Sequence, residues 1–435
     1  MRNSRDDNDR ARARLVDDLS RSIGAALADR HLEISRTGSL DTTVPSEHGI
    51  AMLAAKTELD KFRLSGTSTE GVLLTHHEDK LVSEAVSLVL GLGRLDPLLE
   101  NDDISDIHVR GANPVWLKYR DGRREQAAPI VDSDAELIDL IRRAATRLTR
   151  TERRFDTGHP ELNLQLPDGS RMFATMDVST HPSMVIRRHK FDHSSLSDLM
   201  RSGMFTEQVG AFLAAAVRAR RNIVIAGGTG SGKTTLLRAL MNEVPSFERI
   251  VTIEDAYELG IDKFAHLHPD HDALQSREAN IEGSGEIDLA ALTRMALRMD
   301  PDRVIVGEVR GPEAFPMILA MSQGNNGSMC TMHADSTRSV FPKLAAYVSM
   351  ASSGLPTETV NLLLASALHF VVHIEVMDGK RQISSIREVV DADGNSIISN
   401  ELFSNTTPVQ PFAAMRGVTS ELLAVHGYDS RRWFS

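Results

Sequence analysis

The stretch NIVIAGGTGSGKTTLLRAL, residues 222–240, constrains this chain more than any other. Four residues separate Gly227 from Gly232, Lys233 and Thr234, which is the spacing of a phosphate-binding loop. A β-branched run, Ile223–Ile225, enters the loop, and an apolar helical pattern leaves it. Glycine is needed because backbone N–H groups must turn inward and approach phosphate oxygens closely, at φ values a side chain would forbid. The predicted cradle is Gly227, Gly228, Thr229, Gly230, Ser231, Gly232, Lys233, Thr234 and Thr235. Lys233 would neutralise the outer phosphates, and the Thr234 hydroxyl would bind Mg²⁺. The expected ligand is therefore Mg²⁺–ATP. A strand that feeds a helix through such a loop also predicts a doubly wound α/β domain with a largely parallel sheet.

Two more buried-strand patterns end in carboxylates. RIVTIEDAYEL (249–259) closes on Glu254 and Asp255, and DRVIVGEVRG (302–311) carries Gly307 followed by Glu308. Gly307 stands where an Asp that coordinates the metal is usual. In a parallel sheet the carboxyl ends of neighbouring strands converge on the ligand crevice, so Glu254 and Glu308 are both expected there. One would polarise the attacking water while the other holds water-bridged Mg²⁺. The residues alone do not say which does which.

Upstream the pattern differs. Leu15, Leu19, Ile23 and Leu27 form one helical stripe, with further helical patterns around 48–64 and 78–92, so residues 1–95 read as a helical appendage. That stripe is expected to pack on its own neighbours rather than on a partner. From about residue 100, DISDIHVRG and PVWLKYRDG read as strands. SDAELIDLIRRAATRL reads as a helix with Ser133 or Asp134 as N-cap, LNLQLPDGSRMFATMDV as a hairpin around Asp168-Gly169, and SMVIRRH as another strand. The reading is thus an α+β domain over 96–190, a linker at 191–205 and the loop-bearing α/β domain over 206–435.

The loop GGTGSGKTT, the acidic box TIEDAYEL, the segment NIEGSGEI, the strand LRMDPDRVIVGEVRG and the histidine box GSMCTMHADS follow one another in that order. This series resembles the type II/IV secretion ATPase superfamily, specifically its CpaF-like, Flp/Tad pilus-assembly branch. DISDIHVRG and LPDGSRMFAT add to the likeness, which covers roughly residues 85–390. The resemblance implies a RecA-like ATPase domain hinged to a smaller PAS-like α+β domain, a homohexameric ring, and coupling to a platform in the inner membrane. The expected location is cytoplasmic, docked at the inner face of that membrane. By the same resemblance His333 would sense the γ-phosphate. Arg171, Arg187 and Arg188 of the first domain would reach the nucleotide, where guanidinium groups stabilise charge on the transferring phosphate. One departure stands out: QGNNGSM carries Asn325 where the family commonly has a histidine, and Asn cannot take a charge.

Composition weighs the alternatives. A RecA-like nucleic-acid translocase would want a basic channel and stacking aromatics, but net charge is −11 and aromatics make up 5%. No nucleic-acid partner is expected. A nucleotide-gated scaffold without hydrolysis would not need Lys233, Glu254 and Glu308 together. The single cysteine, Cys330, excludes an internal disulfide framework and a multi-cysteine zinc module within the chain. HLHPDHD (His266, His268, Asp270, His271, Asp272) has metal-ligand residue types but reads as an exposed loop. The charged N-terminus is no signal peptide, and NLLLASALHFVVHIEV is too short and too polar to span a bilayer.

Overall fold

The computed structural model describes residues 2–37, 47–64, 78–148, 154–166, 169–188, 194–279, 282–351, 354–405 and 415–429. Asp168, at the tip of the expected hairpin, lies outside them. The chain divides into two compact units, residues 1–189 and 190–435.

In the first unit, α1 (Arg2–Thr37), α2 (Glu47–Leu64) and α3 (Glu78–Leu90) pack on one another. The stripe Leu15, Leu19, Ile23 and Leu27 is buried against Ala51, Ala55 and Leu59 of α2 and Leu81, Val82, Ala85 and Val86 of α3. Small alanines on the facing helices let the backbones approach, so the stripe is satisfied within its own cluster. A short helix α4 (Asp96–Glu100) then leads into a sheet of β1 (Ile104–Arg110), β2 (Val115–Tyr119), β3 (Arg124–Ala127), β4 (Glu161–Gln165), β5 (Arg171–Thr175) and β6 (Ser183–Arg187). The order is β3-β2-β1-β6-β5-β4, and every pairing is antiparallel. The one long helix of this part, α5 (Asp134–Leu148), starts at Ser133, whose hydroxyl accepts the Glu136 N–H at 3.2 Å. Leu137, Leu140, Ile141 and Ala144 bury its apolar face in the same core as the sheet.

The second unit opens with α6 (Leu196–Arg201), inside the segment expected to be linker. The reason is local: Ser195 and Asp198 form a reciprocal capping box, and Leu196 and Leu199 are buried in the main core. After α7 (Glu207–Arg218) come β7 (Ile223–Gly227), α8 (Lys233–Met241), β8 (Ile250–Glu254), β9 (His271–Gln275), α9 (Leu289–Ala296), β10 (Arg303–Val309), α10 (Ala314–Ser322) and β11 (Met329–Met332). Next are α11 (Val340–Ala351), α12 (Thr357–Ala367), β12 (Phe370–Met377), β13 (Lys380–Asp393), β14 (Ser396–Ser404) and α13 (Gly417–Val425). The eight strands run β14-β13-β12-β7-β11-β10-β8-β9, parallel from β12 through β9, with β13 and β14 as an antiparallel ribbon on one edge. Every residue of β7 and β8 is buried, as expected of strands covered on both faces. One apolar cluster lies on each side of this sheet. The fold is thus α/β and RecA-like, preceded by a smaller antiparallel α+β unit.

The HLHPDHD stretch corrects one expectation. It is neither a metal site nor wholly an exposed loop: His268 is 2% exposed, and His271 begins β9. Asp270 and Asp272 both pair with Arg249, while His271 Nε2 lies 3.0 Å from Asp262. Among the described residues no group of three or more His, Cys, Asp or Glu side chains is arranged to hold a metal ion.

Candidate functional site

The loop after β7 has the conformation its glycines predict. Gly230 and Gly232 have φ of 73° and 99°, and Gly232 caps α8 in the left-handed region without a side chain. At Gly227 a Cβ would lie 2.4 Å from the Ile374 carbonyl of β12 and 2.7 Å from Ser231 Oγ, so only glycine fits. The first-turn N–H groups of α8 follow at once, giving the loop the positive end of a helix dipole. Lys233 is buried and donates to the carbonyls of Gly227 (3.0 Å) and Gly228 (2.8 Å). Burial lowers its pKa, against the pull of Glu308 and Glu258.

Strand order decides what faces this lysine. β11 lies next to β7, and His333 follows its end; β10 lies next to β11 and carries Glu308. His333 Nδ1 is 3.4 Å from Lys233 Nζ, and its Nε2 is 2.8 Å from Glu308 Oε1. Lysine, histidine and glutamate therefore form one chain of contacts across three neighbouring strand ends. Lys343 of α11 donates to the His333 carbonyl at 2.7 Å, which fixes that turn.

Glu254 sits at the end of β8, beside β10. Its Oε2 accepts the N–H groups of Glu258 and Leu259, both at 2.7 Å. Its Oε1 is buried and has no hydrogen-bond partner. Burial is the largest influence on this carboxyl and moves its pKa up to about 7, although the two N–H bonds oppose the shift. The same contact explains Gly307, because a Cβ there would lie 3.2 Å from Glu254 Cγ and 3.6 Å from the Ile253 carbonyl. A side chain at 307 would press on the glutamate of the next strand and require it to shift by a few tenths of an ångström. Beyond the carboxylates, Arg310 pairs with Asp255 at 2.9 Å and ties the ends of β10 and β8 together.

Whether the residues suit Mg²⁺–nucleotide can be judged on orphaned polar atoms. Ser231 Oγ and Glu254 Oε1 are both buried without a partner, one within the glycine loop and one at the adjoining strand ends. Buried polar atoms of this kind normally have a partner, so a ligand rich in phosphate oxygen and metal-bound water fits them. Asn325 is not part of this arrangement. It precedes β11 at the strand's opposite end from His333, and its amide donates to the Pro301 carbonyl.

The three arginines belong to the first unit. Arg171 on β5 and Arg187 on β6 are directly opposed in the antiparallel register. Arg187 pairs with Asp106 at 3.1 Å, and Arg188 donates to the Asn101 carbonyl and pairs with Asp102. One residue at the loop escaped the sequence reading: Arg381, at the start of β13, donates Nε–H to the Gly230 carbonyl at 3.1 Å. No spacing signal relates it to residue 230, since 151 positions separate the two.

The family model for type II/IV secretion system proteins matches residues 90–401. The chain belongs to that family. It is 32% identical over 341 residues to the type IV secretion system protein VirB11 of Brucella suis, covering 71% of this chain and 92% of the relative. It is 32% identical, again over 341 residues, to PtlH of Bordetella pertussis, covering 72% and 96%. The solved VirB11 ATPase from the Brucella suis type IV secretion system, in complex with sulphate, is 31% identical and covers 70% of this chain and 95% of that one, with a TM-score of 0.37. Members of this secretion family are nucleotide-binding ATPases. Among the described residues no helix is long and apolar enough to cross a membrane.

Proposed function

We propose that this chain is an ATP-hydrolysing motor of the CpaF-like, Flp/Tad branch, powering pilus assembly or protein secretion through an inner-membrane platform. The observation that carries the reading is the contact chain Lys233–His333–Glu308 beside the glycine loop. Bound Mg²⁺ would supply charge neutralisation between the outer phosphates, held by the Thr234 hydroxyl and, through water, by the acidic strand ends. Glu308, fixed by His333, suits the metal side of that arrangement. Glu254, with an unpartnered oxygen and a pKa near 7, suits acceptance of a proton from the attacking water. His333 bridges Lys233 and Glu308, so a change in phosphate charge at the lysine would alter the imidazole contact to the glutamate. Arg171, Arg187 and Arg188 would add positive charge to the transferring phosphate and link the first unit to nucleotide state. A homohexameric ring, cytoplasmic and docked on the membrane platform, completes the proposal.

Phosphate release by the purified full chain with Mg²⁺–ATP tests it. Turnover in wild type, lost in Lys233→Ala and reduced at least a hundredfold in Glu254→Gln and Glu308→Gln, is the expected outcome. A wild-type protein that binds ATP without releasing phosphate would leave a nucleotide-gated scaffold as the better reading.

A further inference from the structure

We infer that the β12–β13 hairpin is a second clamp on the phosphate loop and that Arg381 is its positioning residue, holding the loop in the shape that sets nucleotide affinity. The inference rests on the nucleotide reading of the loop for its consequence, though not for its geometry.

Three contacts converge on the loop from this edge of the sheet. The Ile374 carbonyl of β12 lies against the Gly227 α-carbon, closely enough to exclude any side chain. Arg381 Nε–H donates to the Gly230 carbonyl, in the exposed part of the loop. Beside that bond, the Arg381 Cδ and the Met204 methyl both lie 3.2 Å from where a Gly232 Cβ would be. Met204 is itself joined to the hairpin, because its carbonyl accepts the Ile383 N–H at 2.9 Å. Arg381 and Ile383 are thus two residues of one strand, gripping the loop directly and through Met204.

The physical consequence concerns Gly230. Gly228, Thr229 and Gly230 are exposed, and two of the three have no side chain to pack. A loop of this composition gains backbone freedom unless something ties it down. A charge-assisted bond from a guanidinium is stronger than a neutral one, and it acts at Gly230, two residues beyond the Gly228 carbonyl that Lys233 of α8 holds. Arg381 also places positive charge beside the loop. The hairpin turns at Asp378-Gly379, both with positive φ (50° and 76°), the left-handed pair that a tight two-residue hairpin requires. That turn fixes where Arg381 stands relative to β12, so the clamp is a property of the hairpin and not of a mobile side chain alone.

The test uses the full chain in two measurements. Hydrogen exchange of the nucleotide-free protein over residues 227–233 is expected to quicken about tenfold in Arg381→Ala. Steady-state hydrolysis is expected to show KM raised about tenfold with kcat within twofold of wild type. Arg381→Lys, which keeps a cationic donor, should recover most of both effects. Unchanged exchange in Arg381→Ala overturns the clamp, whether or not the wild-type protein is active. Faster exchange with KM unaltered in an active enzyme overturns its role in affinity. Should wild type bind no nucleotide while the exchange effect is present, the clamp stands and the nucleotide reading is the one that fails. If Arg381→Ala does not fold, Arg381→Gln read against Arg381→Lys gives the same comparison.

Discussion

Glu254 shows how a single residue can carry both a structural cost and a chemical use. Its carboxyl is buried, one oxygen is bonded to the turn at 258–259, and the other has no hydrogen-bond partner. Burial raises the folded-state pKa from 4.5 to about 7. Between those values the folded chain binds a proton that the unfolded chain has released, so stability falls as pH rises through this window and then levels off. The displacement corresponds to on the order of 3 kcal/mol. Glu254→Gln removes the titration while keeping an oxygen for the two N–H groups. Urea unfolding without nucleotide or Mg²⁺, at pH 5 and pH 8, should therefore show the variant gaining on wild type by about 2–3 kcal/mol at the higher pH. Parallel pH profiles for the two proteins would mean the carboxyl is ionised throughout, removing the argument that it can accept a proton near neutrality.

Elements are held at the sheet end opposite the site by groups whose only evident work is structural. Asn222, fully buried just before β7, donates to the carbonyls of Met321 and Ala367 and accepts from the N–H groups of Gly327 and Ser328. One side chain thereby satisfies four backbone groups and aligns the starts of β7, β11 and β12. Asn222→Ala strands all four, at a cost of roughly 3 kcal/mol or more. Its nucleotide affinity, measured at a temperature where the variant stays folded, should remain within about threefold of wild type, because the loop lies at the far end of β7. A selective loss of binding with normal unfolding would contradict this division of labour. The same division governs what the sequence disclosed. β7, β8 and β10 were legible because strands buried on both faces must be runs of Val and Ile, and the loop because phosphate binding fixes glycine spacing. Helix α5 was legible in its Ser133 cap. The start of β9 was not, since His268, Asp270, His271 and Asp272 look like a polar loop; only the Arg249 pairing and the burial of His268, which pushes its pKa down to about 4, reveal their setting. Helix α6 was hidden by serines that also suit linkers, although Ser195 and Asp198 are spaced for a capping box. Arg381 left no local signal, because its partner is a carbonyl distant in sequence.

At the scale of the whole molecule, the question is whether the first unit takes part in the chemistry. Its sheet presents Arg187 opposite both Asp106 and Arg171, with Lys118 also paired to Asp106, at 3.7 Å. Arg187, exposed, and Lys118, half-buried, thus share one acidic partner within the same unit, which makes them a pair for comparison by substitution. A purely structural role predicts effects of similar size, since both cations reach the same buried carboxylate, Asp106. The motor proposal predicts unequal ones. A guanidinium acting on the transferring phosphate affects turnover by orders of magnitude, roughly a thousandfold or more where it acts in the manner of an arginine finger. Arg187→Ala should therefore lower kcat at least about a hundredfold while binding of a non-hydrolysable ATP analogue changes little. Lys118→Ala should keep kcat within about twofold, and the two variants should melt within a few degrees of each other. Equal kcat for Arg187→Ala, Lys118→Ala and wild type would remove Arg187 from the proposed chemistry and leave Arg171 and Arg188 as the first unit's remaining candidates.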